Sequence, residues 1–161
     1  MELHIMSGEK GFTYPAALAM IIIVSVSLMV VQKQWSTIVK RDKEKELFFR
    51  ADQIVQAIES FYHSSSKGSQ QYPRRLKVLL KDSRFLSLKR HLRKIYKDPM
   101  TEDGKWGIIY DGKGGIKGVF SKSQAEPIKT GNFPEIYKSF ENKKKYNNWK
   151  FVYEPEKEAP S

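Results

Sequence analysis

Residues Gly11-Phe12-Thr13-Tyr14-Pro15, and the apolar run from Ala16 to Val31 behind them, decide how the rest of this chain is read. Between Ala16 and Val31 no residue is charged, and Ser25 and Ser27 are the only polar ones. From Phe12 onward about twenty residues can therefore lie in hydrocarbon, the length of one bilayer span. A helix there closes its own backbone hydrogen bonds, which lipid cannot do, and its Ile, Val and Leu side chains each favour insertion by roughly a few tenths of a kcal/mol. A buried core helix is the weaker reading, because a small basic chain leaves too little protein to cover such a run. A cleaved secretory signal is a third; Ser25-x-Ser27 would be its small-residue site, but the apolar stretch continues past it to Val31.

The residues in front of the run are Ser7-Gly8-Glu9-Lys10-Gly11, followed by Phe12-Thr13. A short polar leader, Lys-Gly, Phe-Thr and an apolar helix together resemble the N-termini of type IV prepilins and pseudopilins. The resemblance implies that a membrane-embedded prepilin peptidase cuts between Gly11 and Phe12 and methylates the new N-terminus of Phe12. Glycine leaves the scissile backbone unobstructed, with the leader in water and the helix in lipid. Residues 1–11 are then a leader, 12–31 a membrane helix, 32–66 its amphipathic continuation and 67–161 a small globular region.

One position departs from the pattern. Most members carry a glutamate four residues after the mature phenylalanine, where it pairs with a neighbour's terminal amine in the filament. Here that residue is Ala16. A carboxylate in the bilayer costs about 3 kcal/mol unless paired, so alanine removes both the cost and the registration device. This argues against a role as the repeating subunit of a long filament. Filament-tip subunits and some small pseudopilins beginning Gly-Phe-Thr-Tyr lack the glutamate too.

With 161 residues, a leader and an anchor leave room for one small globular region. The chain has no cysteine, which excludes disulfides and thiolate metal sites. Many pilins carry a disulfide and many secretion pseudopilins do not, so the resemblance leans toward secretion. The net charge of +11 raises nucleic acid and anionic lipid as partners. It also sets up a conflict of orientation: Lys33, Lys40, Arg41, Lys43 and Lys45 after the span outnumber Lys10 before it, which by the positive-inside rule places the C-terminal part in the cytoplasm. The prepilin resemblance implies the reverse, a single-pass protein of the bacterial inner membrane with its C-terminal domain in the periplasm.

Pro15 falls in the first helical turn, where its missing N–H costs nothing. From Ala16 to Lys67 there is neither glycine nor proline, so a helix of roughly fifty residues, on the order of 75 Å, is expected. Leu47, Ala51, Ile54, Ile58 and Phe61 recur at steps of four and three, flanked by Phe48, Val55 and Tyr62, which makes one apolar stripe. Lys40 to Lys45 reads as a solvated, mixed-charge collar at the membrane surface, with Trp35 at the interface. Ser64 to Ser69 ends the helix. Leu76, Leu79 and Leu80 suit a short helix, and Leu88, Leu92 and Ile95 a second one stopped by Asp98-Pro99. Trp106–Tyr110 and Ile116–Phe120 flank Gly112-Lys113-Gly114-Gly115 as a hairpin, and Trp149–Tyr153 alternates as a third strand.

The expected fold is therefore α+β and pilin-like: a long N-terminal helix, transmembrane in its first half, packed on a small antiparallel sheet. Tyr72-Pro73, Leu79-Leu80, Leu92-Arg93, Tyr96, Asp98-Pro99-Met100-Thr101, Trp106 and the closing Trp149-x-Phe151-x-Tyr153 resemble a group of small type II secretion pseudopilins.

Catalytic chemistry is thin. His4, His63 and His91 are scattered, and no nucleophile motif or phosphate loop is present, so no enzyme is expected. Glu102, Asp103 and Asp111 are weak candidates for calcium, their spacing matching no EF-hand; solvated turn residues are the better reading. Arg74, Arg75 and Lys77, then Lys89, Arg90, Arg93 and Lys94, then Lys143–Lys145, form basic clusters with Tyr72, Tyr96 and Tyr146 as aromatic neighbours. They suit DNA phosphate or acidic partner subunits, and the absence of a base-reading motif weighs against DNA. The expected function is a structural pseudopilin subunit of a type II secretion system. Its partners are the prepilin peptidase, other pseudopilins, the inner-membrane assembly platform and the membrane. A minor type IV pilin or DNA-binding competence pseudopilin is the alternative, and a signal-anchored periplasmic adaptor the third.

Overall fold

A computed structural model describes residues 13–66 and 69–155; for Thr13 and residues 29–34 only the backbone is described. The chain divides into two compact units, Met1–Val39 and Lys40–Ser161. The leader, Gly11 and Phe12 lie outside the described residues.

In the first unit the described chain is helical from Thr13, the start of α1, which runs to His63. Tyr14, Met20, Ile21, Ile22, Ile23, Val26 and Leu28 are all exposed, with Ile23 at 67%. No apolar stripe forms here because the residues are apolar on every side. Ser25 and Ser27 donate their hydroxyls to the carbonyls of Ile21 and Ile23, each at 2.8 Å. Among the described residues no helix is long and apolar enough to cross a membrane. The described side chains of the run reach from Tyr14 to Leu28 and do not include Val31.

In the second unit α1 buries the expected stripe. Leu47, Ala51, Ile54 and Ile58 are wholly inaccessible and Phe61 nearly so. The sheet follows later, with β1 at Gly107–Tyr110, β2 at Ile116–Phe120 and β3 at Lys150–Val152. Its order is β1-β2-β3, antiparallel throughout, with Ile108 opposite Val119 and Val119 opposite Phe151. The turn between β1 and β2 is the expected hairpin: Asp111 N–H donates to the Gly115 carbonyl at 2.7 Å, and Gly114 takes a φ of +78° that favours glycine. Gly118 is required by close approach, since a Cβ there would sit 2.2 Å from the Phe151 carbonyl oxygen. The fold is α+β, helix on a three-stranded antiparallel sheet.

Of three expectations for the chain from the end of α1 to Asp98, one fails. The first short helix is present, as a 3₁₀ turn over Leu76–Leu80. The second does not form: His91 and Leu92 both donate their N–H groups to the Leu79 carbonyl, and Asp82 bridges Lys89. The backbone groups that a helix over Leu88–Ile95 would pair internally are spent on the preceding segment, and only Leu92 of the three apolar residues is buried. The third is the end of α1, which falls at His63, where Ser64 to Ser69 is expected to end it and short of the 66 given for the amphipathic segment, with Ser64 N–H and Oγ both donating to the Ser60 carbonyl.

The connection between β2 and β3 completes the core without α or β structure. Phe133, Tyr137 and Phe140 bury there and meet Phe48 of α1 and Phe151 of β3. Phe140 stacks on Trp149 with centroids 5.7 Å apart.

Candidate functional site

The features that carry candidate function lie in three places: the exposed apolar segment of α1, two buried polar clusters that hold the second unit together, and its charged surface.

Glu44 is the first departure from the expected collar. It is 6% exposed, not solvated. Its carboxylate accepts from Ile128 N–H at 2.9 Å, Lys129 N–H at 3.1 Å and the Tyr146 hydroxyl at 2.7 Å. Burying a charge is costly unless it is hydrogen-bonded, and three donors meet that demand. Burial, with the bond to Glu44 next, pushes the Tyr146 hydroxyl well above the usual phenol range. Tyr146 is thus a clamp in the core and unavailable for stacking on a base, which corrects its reading as an aromatic neighbour of a DNA surface. The remainder of the collar is surface: Lys45 and Asp42 pair at 3.5 Å with both side chains largely exposed.

The second cluster joins residues that the sequence keeps apart. Asp82, 2% exposed, receives Arg84 through Nη2 at 2.6 Å and Nε at 2.9 Å. Its Oδ2 also accepts from His91 Nε2 at 3.1 Å; an ionised carboxylate can only accept, so that ring nitrogen carries the hydrogen. His91 Nδ1 lies 2.8 Å from Ser60 Oγ. Arg84 reaches on to the Phe61 carbonyl at 2.9 Å and covers the Phe61 ring at 3.6 Å. The bond from the Arg84 side chain holds the Asp82 carboxyl down at about 2.

Ser60, His91 and Asp82 have the connectivity of a hydrolase triad, and the surroundings decide what it does. Asp82 is already neutralised by Arg84, so little of its charge is left to stabilise an imidazolium. Ser60 sits inside α1, where backbone N–H groups are engaged in the helix ladder and form no oxyanion hole. The arrangement is a tie between the end of α1 and the segment 82–91. Nothing in the sequence spacing of Ser60, Asp82 and His91 announces it.

The weak calcium candidates are turn residues. Asp103 accepts from Lys105 N–H at 3.0 Å, and Asp111 from Lys113 N–H at 3.1 Å and from Gly115 N–H. The N–H of Lys105 holds the Asp103 carboxyl below the usual range. Glu102 is exposed. Among the described residues no three His, Cys, Asp or Glu side chains come together as a metal site.

Of the basic clusters, Arg74, Arg75, Arg90, Arg93 and Lys94 are exposed and Lys89 is half-buried, its ammonium 4.5 Å from the Phe85 ring. The backbone pairing of Leu79–Asp82 with Lys89–Leu92 sets Lys81 beside Arg90. Arg74 instead borders a shallow groove of about 430 Å³ with Asp111 and Lys113. Tyr96 packs on Phe49 under Lys94, and Tyr72 donates to the Tyr153 carbonyl at 3.1 Å. Burial first, then the nearby tyrosines, raise the Tyr72 hydroxyl to about 12.

Together these features define a small α+β unit built on one face of a long helix, with structural polar ties. No family model, curated protein or solved structure matches the chain.

Proposed function

We propose that this chain is a pseudopilin-like structural subunit of a type II secretion system. On this reading it is cut between Gly11 and Phe12, methylated at Phe12, and assembled from the inner membrane into a short periplasmic pseudopilus. The observation that carries the proposal is that one helix, α1, bears a charge-free segment exposed on all sides and, further on, the buried stripe of a small antiparallel-sheet unit. The exposed segment needs an apolar surrounding, lipid before assembly and neighbouring helices after it. Pro15 and Ala16 open that helix, and the chain continues it through Val31 in sequence. The work is mechanical: helix packing drives assembly, and the unit beyond Lys40 presents surfaces to partners.

The test is the intact mass and N-terminal sequence of the membrane-extracted protein produced beside its prepilin peptidase. A chain starting at methylated Phe12 is expected, and Gly11 replaced by a bulky residue leaves an uncut precursor. A chain starting at Met1 makes this a signal-anchored adaptor instead, and one starting after Ser27 a secreted protein.

Exposed Arg90, Arg93 and Lys94 favour a second reading, a competence-type pseudopilin binding DNA phosphate. Salt-sensitive DNA binding together with intact secretion in a deletion strain selects it over the first.

A further inference from the structure

The two flanks of α1 in the second unit carry opposite chemistry. On one flank a groove of about 1130 Å³ opens between α1 and β3, the edge strand of the sheet. Asp52, Glu59 and Glu154 line it with Lys150 and His63; Glu154 pairs with Lys117 at 2.8 Å and Asp52 accepts from the Tyr137 hydroxyl at 2.7 Å, so Glu59 is the acid most open to an incoming cation. The rest of the chain runs the other way, with 29 basic and 18 acidic residues overall. Ile136, 71% exposed, supplies an apolar contact at its wall. The groove lies at the upper end of the range for small-molecule clefts, about 300–1,000 Å³, and its lining follows α1 from Asp52 to His63, about three turns, which suits a segment of polypeptide.

The other flank carries the loop 83–90. Arg84 ties its base to the Phe61 carbonyl and to Asp82, and the Asp82–Lys89 bridge closes it. Phe61 lies two residues, about 160°, around the helix from Glu59, so loop and groove face apart. At the loop's tip Leu86 is fully exposed and Leu88 is 59% exposed, with Lys81 and Arg90 exposed at its base. A leucine-tipped, cation-ringed loop is the inverse of an acidic groove with an apolar wall.

A projection and a matching recess on different faces of one molecule make a heterologous contact, which joins a few copies within a short assembly instead of closing into a dimer and does not require the long filament that Ala16 argues against. We propose that the loop 83–90 of one copy seats in the α1–β3 groove of the next, with Leu86 against Ile136, and Lys89 and Arg90 facing Asp52 and Glu59. The inference deepens the filament reading and rests on it.

The chain has no cysteine, so single cysteines report the contact directly. Full-length Leu86→Cys and Ile136→Cys chains, differently tagged, are produced together in the membrane with the peptidase and oxidised. A mixed disulfide is expected in clear excess over Leu86→Cys pairing with itself and over a Gly112→Cys control in the exposed turn. Glu59→Lys on the Ile136→Cys chain should lower its yield about fivefold, and Lys89→Glu with Arg90→Glu on the other chain should restore it. No mixed product above the control, or Leu86→Cys pairing equally with itself, overturns the contact. So does protection of Leu86→Cys by anionic phospholipid vesicles with no mixed product, which would make the loop a membrane contact. N-terminal sequencing of the same sample separates the two ideas. A chain starting at Met1 overturns the filament reading, whereas one starting at methylated Phe12 without the mixed disulfide overturns the contact alone.

Discussion

Tyr14–Leu28 and Leu47–Phe61 belong to one helix and are built from the same aliphatic residues, yet Ile23 is 67% exposed and Ile54 is wholly buried. The difference lies in what alternates with the aliphatics. In the later segment Glu46, Arg50, Gln53 and Gln56 separate them into a stripe, and a stripe is satisfied by one neighbouring surface. In the earlier segment nothing charged intervenes, so no single sheet could cover it. Hydrophobic periodicity therefore reads out the dimensionality of the partner, a face in one case and a surrounding medium in the other.

The same substitution placed in each segment separates them. Ile54→Asp puts an unpaired carboxylate into the core and should cost more than about 4 kcal/mol, unfolding the second unit. Loss of protease resistance in the detergent-solubilised full chain checks it, with membrane retention unchanged. Ile22→Asp should leave that protease resistance untouched and, on the proposed membrane reading, cost about 3 kcal/mol of insertion, read as release of the chain by alkaline extraction. If Ile22→Asp instead unfolded the second unit, the two segments would not be energetically separate.

The smallest effect sharpens the contrast by pH. Asp82 is held at about 2, below its usual 3.8, so its contribution of about 2 kcal/mol is present above pH ~4 and is lost as pH falls through about 2. Asp82→Asn should lower stability near neutrality by about that amount, with the gap to wild type closing between pH 4 and 2. Chemical denaturation across that range, followed by tryptophan fluorescence, measures it; an unchanged gap would place the acid sensitivity elsewhere.

The elements legible in the sequence were those whose partners lie nearby or whose pattern is periodic. The stripe of α1, the hairpin at Asp111–Gly115 and the third strand ending in Val152 all appear where their residues indicate. Glu44 was not legible, because the amides that bury it arrive 84 and 85 residues later in sequence, and a lone glutamate among Lys40–Lys45 looks solvated. The failed helix over Leu88–Ile95 has the same origin: the Leu79 carbonyl and the Asp82 carboxylate outcompete local helical bonds. Phe133, Tyr137 and Phe140 offered a signal that went unused, their steps of four and three marking a buried face inside an otherwise patternless connection. The Ser60–His91–Asp82 tie had no such signal, since hydrogen bonding between distant segments leaves no period.

Ser25 and Ser27 return both of their hydroxyl protons to carbonyls of their own helix. The polar inventory from Ala16 to Leu28 is thereby self-contained. On the proposed reading, such a segment changes its surroundings without its side chains making or breaking a hydrogen bond with them, and the free energy of moving it reduces to an exchange of one hydrocarbon contact for another. A helix of this kind is a portable part, able to be withdrawn and reseated at nearly constant chemical cost.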